Sequence, residues 1–281
     1  MQLINSKLFK IPIFIIILFW FVFILLLVGA GILSSSFPGQ SSRLAYGIGG
    51  TAAALLTTYL FLRLHNSTFS SIGFHWDNKS ARKFFLGLLI GGITMAIIIA
   101  ILYCLTNLQW ERNHLSFSIE MIIGYAAILP LAFMEEIAFR AYPFVTLQKR
   151  YGLWITQMVV AIAFALYHLP GGQSLTGALA GPGIWALVFG LAAAWSGGIA
   201  MPFGIHVALN AGQMIMGLKG NESAIWTIST PANATHMFDA DAIGLAFQLA
   251  VLVIGGSLTQ FFISRQKRKV RKPGLEQASR P

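Results

Sequence analysis

The chain has 281 residues, of which 56% are hydrophobic and only 10% are charged, and its mean hydropathy is +0.72. This composition excludes an ordinary soluble domain and indicates a protein of the lipid bilayer. A net charge of +10 could suit a nucleic-acid-binding protein, but the basic residues lie in the connections between apolar stretches. We therefore predict no nucleic-acid partner.

Apolar stretches follow one another along almost the whole chain. A membrane-spanning helix needs roughly 20 apolar residues, and about eight stretches approach that length: 11–33, 44–62, 84–105, 118 to the low 140s, 153–169, 183–199, 201–218 and 240–263. The predicted fold is all-α, a polytopic bundle of about eight transmembrane helices. It forms a single membrane domain over 1–281, which ends in a basic tail at 264–281.

The basic residues mark one side of this predicted domain. That side receives most of the lysine and arginine: Lys7, Lys10, Arg63, Lys79, Arg82, Lys83, Lys149, Arg150 and six residues within 265–272. The opposite connections carry Arg43, Arg112 and Lys219 beside several acidic residues. Because cytoplasmic connections are enriched in Lys and Arg, we predict an integral membrane protein with both termini cytoplasmic, in the plasma membrane of a bacterium.

Polar side chains inside membrane spans are costly and therefore indicate function. Three segments carry them, MEEIAFR at 134–140, FALYH at 164–168 and HVALN at 206–210. They supply six candidate site residues: Glu135, Glu136, Arg140, His168, His206 and Asn210. The pairs Glu136–Arg140 and His206–Asn210 are each spaced four apart, so each pair shares one helix face.

The spacing between the first two segments predicts that they meet. Glu136 lies 16 residues before Gly152 and His168 lies 16 residues after it. At 1.5 Å per residue both are about 24 Å from a turn at Tyr151–Gly152, so an antiparallel hairpin brings them level. This prediction requires helix 4 to continue to that turn, with a kink at Pro143.

Several chemical interpretations of these residues remain open on spacing alone. Glu136 and Arg140 could form a purely structural ion pair, which leaves Glu135 without a partner. Glu135 is then a candidate general base for water, with histidine and asparagine as donors to an oxyanion. No serine or cysteine is spaced to act as a nucleophile. Zn²⁺ held by Glu135, His168 and His206 is the alternative, although the sequence lacks H-E-x-x-H, and we favour a metal-free site.

The three segments resemble, in this order, the EExxxR, FxxxH and HxxxN/D motifs of the CAAX prenyl endopeptidase family, also called the CPBP or ABI group. The resemblance runs from about residue 70 to 215 and includes SSIGFHW at 70–76. It implies an intramembrane endopeptidase in which Glu135 activates water while Glu136 and Arg140 orient it. His168 completes the site, and His206 and Asn210 bind the substrate carbonyl or the oxyanion.

The resemblance also implies a substrate class, a hydrophobic or membrane-tethered peptide or protein that could be CAAX-like and lipid-modified. After Arg140 the sequence has AYPF, where many relatives have a glycine. The alternative function is a non-catalytic membrane scaffold or a proton-coupled transporter that uses the same residues. A transporter needs ionisable residues along a path through the membrane, whereas a protease concentrates them in one polar cavity, which we expect to open to the cytoplasm or to the lipid.

Overall fold

A computed structural model describes residues 12–74, 77–114, 118–220, 223–230 and 238–278, with backbone only for 269–278. Its α-helices are α1 Pro12–Ser34, α2 Gly39–Leu64, α3 Asn78–Leu105, α4 Ile119–Arg140, α5 Tyr142–Tyr167, α6 Leu175–Ala178, α7 Ile184–Ser196, α8 Ala200–Ile215 and α9 Ala240–Ala278. One antiparallel ribbon pairs β1, Gln109–Arg112, with β2, Trp226–Ser229. The predicted all-α membrane bundle is confirmed, while Lys7, Lys10, His75 and Trp76 lie outside the described residues.

Six helical segments of the described chain are long and apolar enough to cross a membrane: Pro12–Ser34, Gly39–Leu64, Asn78–Leu105, Ile119–Gly171, Leu175–Ser196 and Ala240–Arg268. The segment Ile119–Gly171 has 53 residues and holds two of the predicted spans, because the chain reverses inside it. Helix α8 has only 16 residues, fewer than a full crossing requires. The figure of eight spans therefore stays a prediction.

The predicted hairpin turn lies at Gly152. This residue has φ +77° and ψ 175° and separates two helical segments within α5. A positive φ is accessible to glycine at little cost, which explains why the chain can reverse there. The predicted turn at Tyr151–Gly152 is therefore confirmed.

The prediction that helix 4 continues to this turn, with a kink at Pro143, is wrong. Helix α4 ends at Arg140 because Ala141 has φ −84° and ψ −107°, outside the helical region. Pro143 is the second residue of α5, where its missing N–H is not needed for a helical hydrogen bond. The proline thus starts a new helix instead of kinking an existing one.

Small residues allow α3 and α8 to pack closely. Gly87 and Gly91 are buried against α8, and a Cβ added to Gly91 would lie 2.7 Å from the carbonyl oxygen of Ile205. Gly204 on α8 faces the backbone of Phe84 in the same way. The G-x-x-x-G spacing of α3 therefore serves packing inside the bundle, and it fixes the height of His206 next to Ile205.

The helices differ in how much of their surface other helices cover. Half of the best spanning window within Ile119–Gly171 is buried, compared with 11% of the window in Ala240–Arg268. Helix α9 thus lies at the edge of the bundle and mainly contacts α7. The candidate site lies where coverage is greatest, among α4, α5, α7 and α8.

Candidate active site

Arg140 is a fully buried cation enclosed by aromatic rings. Its guanidinium carbon lies 4.1 Å from the ring centroid of Phe164, 5.2 Å from that of Phe189 and 5.8 Å from that of Phe139. The rings offer cation–π attraction in a place without bulk water. One turn earlier, the Oε1 atom of Glu136 lies 3.6 Å from Nη1 of Arg140. The predicted ion pair therefore exists, with both side chains fully buried.

His206 lies between the two adjacent glutamates. Its Nδ1 is 2.8 Å from Oε1 of Glu136, and its Nε2 is 3.6 Å from Oε2 of Glu135. The ring stacks on Phe189, with centroids 4.7 Å apart, which sets its plane. A carboxylate accepts hydrogen bonds, so Nδ1 is the protonated nitrogen that donates to Glu136. Glu136 therefore orients His206 so that Nε2 faces Glu135.

Glu135 differs from its neighbour in accessibility. The side chain of Glu136 is fully buried, whereas that of Glu135 is 14% exposed. Its Oε2 atom is buried and has no hydrogen-bond partner among the described residues. Glu135 is thus the acid of the pair that water can reach, as a general base requires.

His168 follows the last residue of α5 and faces the same cavity as His206. Its Nδ1 lies 2.7 Å from the carbonyl oxygen of Phe164. A carbonyl only accepts, so Nδ1 carries the proton, and Nε2 of the neutral ring is an acceptor. The ring also makes an edge-to-face contact with Phe164, at 4.6 Å between centroids. The FxxxH spacing thus gives one residue, Phe164, contact with both His168 and Arg140.

A polar cavity of about 400 Å³ joins the two histidines to the end of α8. The lining includes His168, His206, Asn210, Gln213 and Lys219. Asn210 and Lys219 also line a second polar cavity of about 550 Å³, which extends toward α2. The structure therefore brings the predicted residues together, with Asn210 at the junction of the two cavities.

Lys219 is a site residue that the sequence analysis missed. Its Nζ atom donates a hydrogen bond to Oδ1 of Asn210 at 2.8 Å. In the sequence it is a connection residue used only to assign membrane topology. The flanking glycines Gly217 and Gly220, both with positive φ, are the signal of a chain that folds back on itself.

The cavity lies at the end of the bundle opposite the basic connections. Its outer lining includes Gln173 and Ser174 after α5 and Lys219 after α8. The part of α5 after Gly152 begins at the basic end, next to Lys149 and Arg150, and α8 begins at Ala200, which lines one cavity with Lys83. The cytoplasmic opening, one of the two alternatives expected for the cavity, therefore conflicts with the positive-inside assignment. An opening toward the lipid is compatible with that assignment.

The alternative metal site is not assembled in the described residues. They contain no group of three or more His, Cys, Asp or Glu side chains that could hold a metal ion. Glu135 and His206 are adjacent, and Nδ1 is engaged in both histidines, with Glu136 for His206 and with a backbone carbonyl for His168. Each Nε2 is then the free nitrogen, as it is in metal-ligating histidines, so the choice between a metal-free site and a Zn²⁺ site stays a prediction.

The fold and the site define a polytopic membrane protein with a buried cluster of acids and histidines. Residues 116–212 match the family model described as type II CAAX prenyl endopeptidase Rce1-like. The match covers roughly a third of the chain and contains all six predicted site residues. No curated protein matches the chain. The resemblance to the CAAX prenyl endopeptidase (CPBP) family is confirmed, and it supports a CAAX-type intramembrane protease as the general class.

Proposed function

We propose that the protein is an intramembrane endopeptidase in which Glu135 activates water to hydrolyse a peptide bond of a hydrophobic or membrane-tethered substrate. The observation that carries this proposal is the placement of His206 between the two glutamates, at 2.8 Å from one and 3.6 Å from the other. One acid orients the imidazole, which leaves the partly accessible acid free for proton transfer. This division of roles between two neighbouring carboxylates suits general-base catalysis.

The cluster has a polar surface suited to bound water. Buried polar atoms without a hydrogen-bond partner in the described residues include Oε2 of Glu135, Oε2 of Glu136 and three nitrogens of Arg140. Leaving such atoms unpaired costs about 1–3 kcal/mol each. Water bound among them would lower that cost and would supply the nucleophile next to its base.

The proposed reaction conserves every proton. Glu135 takes one proton from water as the water oxygen bonds to the carbonyl carbon, and the carbonyl electron pair moves onto oxygen. Asn210 donates a hydrogen bond to this oxyanion, as does His206 when both ring nitrogens are protonated. The tetrahedral species then re-forms its C=O bond and expels the amine, which receives the proton held by Glu135. His168 offers Nε2 as an acceptor for water or substrate.

The same arrangement argues against a transporter. Among the described residues, the buried acidic, basic and histidine side chains are Glu136, Arg140 and His206, and all three belong to one cluster. A proton path across the bundle would need such groups at successive depths. The clustering favours a single reaction site.

The test is cleavage of a library of fluorogenic, membrane-tethered peptides by the full chain reconstituted in liposomes. The library includes prenylated and unmodified members, so it also tests the CAAX-like substrate class. We expect the native protein to cleave at least one member of the library. Glu135→Gln should lower the rate of that cleavage by about 10²–10⁴-fold, the usual contribution of a general base. Glu120→Gln, at the start of α4, is the matched control.

Two outcomes count against the proposal. One is native activity in Glu135→Gln, which would remove the assigned base. The other is complete loss of activity after dialysis against a metal chelator and its return on addition of Zn²⁺, because the proposed route uses no metal.

A further inference from the structure

The connection after α8 is folded so that Lys219 returns to the site. Gly217 has φ +70° and Gly220 has φ +99°, values that disfavour side-chain-bearing residues. The backbone N–H of Leu218 donates to the carbonyl of Gln213 at 2.9 Å, which ties the turn to the helix end. Lys219, between these anchors, therefore extends toward Asn210, nine residues earlier in the chain.

The hydrogen bond from Lys219 determines how Asn210 is oriented. An ammonium group can only donate, so the atom of Asn210 that lies 2.8 Å from Nζ must be the carbonyl oxygen Oδ1. The Nδ2–H₂ group then points to the other side. Asn210 lines the cavity of the histidines, so this orientation leaves a donor where an oxyanion would form.

Lys219 also interacts electrostatically with Glu135, the proposed general base. Three charged or polar groups face it from different helices: Arg43 from α2, Glu135 from α4 and Asn210 from α8. Among the described residues, neither Lys219 nor Arg43 has a carboxylate within ion-pair distance. Although Lys219 keeps exposed surface, the protein around its ammonium lowers the pKa of Lys219 mainly by desolvation. Glu135 opposes that decrease and Arg43 adds to it.

We propose that Lys219 is a positioning residue of the active site, which holds the Asn210 amide with its N–H₂ group toward the cavity and keeps a positive charge near Glu135. The inference rests on the proposed function, since it assigns the orientation of a donor in the same reaction. It concerns a residue outside the three motifs and outside the region of the family match.

The first test compares Lys219→Met and Lys219→Arg with Lys79→Met, a matched loss of one exposed lysine on α3. In the peptide assay we expect Lys219→Met to lower kcat by roughly 10–100-fold, less than outright removal of an oxyanion donor, with a smaller change in KM. Lys219→Arg should recover most of the loss, because a guanidinium also donates and is positively charged. Native kcat in Lys219→Met, or equal losses in both variants, would overturn the proposal.

The pH profile separates positioning from a merely structural role. Protonated Lys219 is the active form, so its contribution is complete below its pKa and is lost as the pH rises through that pKa. Since burial lowers this pKa from the usual lysine value, the fall should begin below pH 10.5. In Lys219→Arg the fall should move to higher pH, because arginine keeps its proton. The same alkaline fall in native and Lys219→Arg protein would contradict the assignment.

A second test needs no catalysis. The amine of Lys219 is acylated at a series of pH values, and mass spectrometry of the full-length protein's peptides gives the midpoint. Since Glu135 raises the pKa of Lys219, Glu135→Gln should move the midpoint to lower pH, whereas Glu120→Gln should not. An unchanged midpoint in Glu135→Gln refutes the electrostatic interaction between Lys219 and Glu135, even if no peptide is cleaved. A shifted midpoint in a protein that cleaves nothing refutes the protease function and leaves the contact standing.

Discussion

Helices α4 and α8 meet at two neighbouring contacts that differ in chemistry, one beside an aromatic cavity and one at the polar site. The cavity at the basic end has about 300 Å³ and is lined by aromatic rings, among them Phe133 of α4 and Phe203 of α8, which lie 5.0 Å apart. Three residues further along each helix, Glu136 and His206 form the 2.8 Å hydrogen bond of the polar site. The same pair of helices thus forms an apolar contact and a polar one.

The difference indicates that the side chains facing a position on these helices decide whether that position can carry a charge. Among the described residues that line the aromatic cavity, Lys83 alone is charged, and it belongs to the start of α3. At the polar site, the ionisable residues face one another and are enclosed by Phe164 and Phe189. Glu136 there pairs with Arg140 and His206 in place of bulk water.

The largest expected effect comes from the enclosed cation. Arg140→Met leaves Glu136 in the protein interior with only His206 as a partner, and we expect it to lower the free energy of unfolding by about 3–5 kcal/mol. Unfolding in mixed detergent micelles measures this. Arg63→Met, on the exposed end of α2, is the control and should change the free energy of unfolding by less than about 0.5 kcal/mol. Equal effects of both variants would mean that the ion pair of Glu136 with Arg140 does not stabilise the fold.

The second effect concerns activity at the two contacts between α4 and α8. His206→Ala should reduce kcat/KM for a cleaved peptide by about 10²–10³-fold, since it removes an oriented donor next to Glu135. Phe203→Leu, three residues earlier in the aromatic cavity, keeps an apolar side chain and should stay within about threefold of the native value. Comparable losses in the two variants would mean that the polar contact matters no more for catalysis than the aromatic contact does.

A smaller effect should come from neighbouring glycines on α3. Gly91→Ala places its Cβ 2.7 Å from the carbonyl oxygen of Ile205, so α3 and α8 must separate, at a cost of about 1–3 kcal/mol in unfolding free energy. A Cβ at Gly92 meets nothing within 4 Å. Gly92→Ala should instead stabilise the helix by about 0.5–1 kcal/mol. Thermal unfolding of both variants gives the comparison, and a destabilised Gly92→Ala would weaken the packing argument.

The sequence was informative wherever a residue type has one structural consequence. Gly152 predicted the reversal of α5, and equal distances of Glu136 and His168 from it predicted that the motifs meet. The break at Ala141 could not be predicted, because alanine favours helix and only the surroundings force its backbone out of the helical region. Pro143 signalled an irregularity but not that a new helix begins there.

The role of Lys219 depends on a turn whose direction the sequence does not specify. A lysine in a connection is usually solvated, so its charge served only to assign topology. The two glycines around it indicate a tight turn, yet whether that turn faces the solvent or the site depends on tertiary packing. The sequence also did not predict that the cavity lies at the end opposite the basic connections, because this too depends on tertiary packing.

The loose attachment of α9 has a consequence for how this sequence can change over evolutionary time. With little of its surface covered by other helices, α9 places few packing demands on its side chains, and apolar residues can replace one another with small energetic penalties. The four helices around the acids have no such freedom. We expect orthologues to diverge fastest along 240–268. Within this range Gln248, which lines the histidine cavity, should change least.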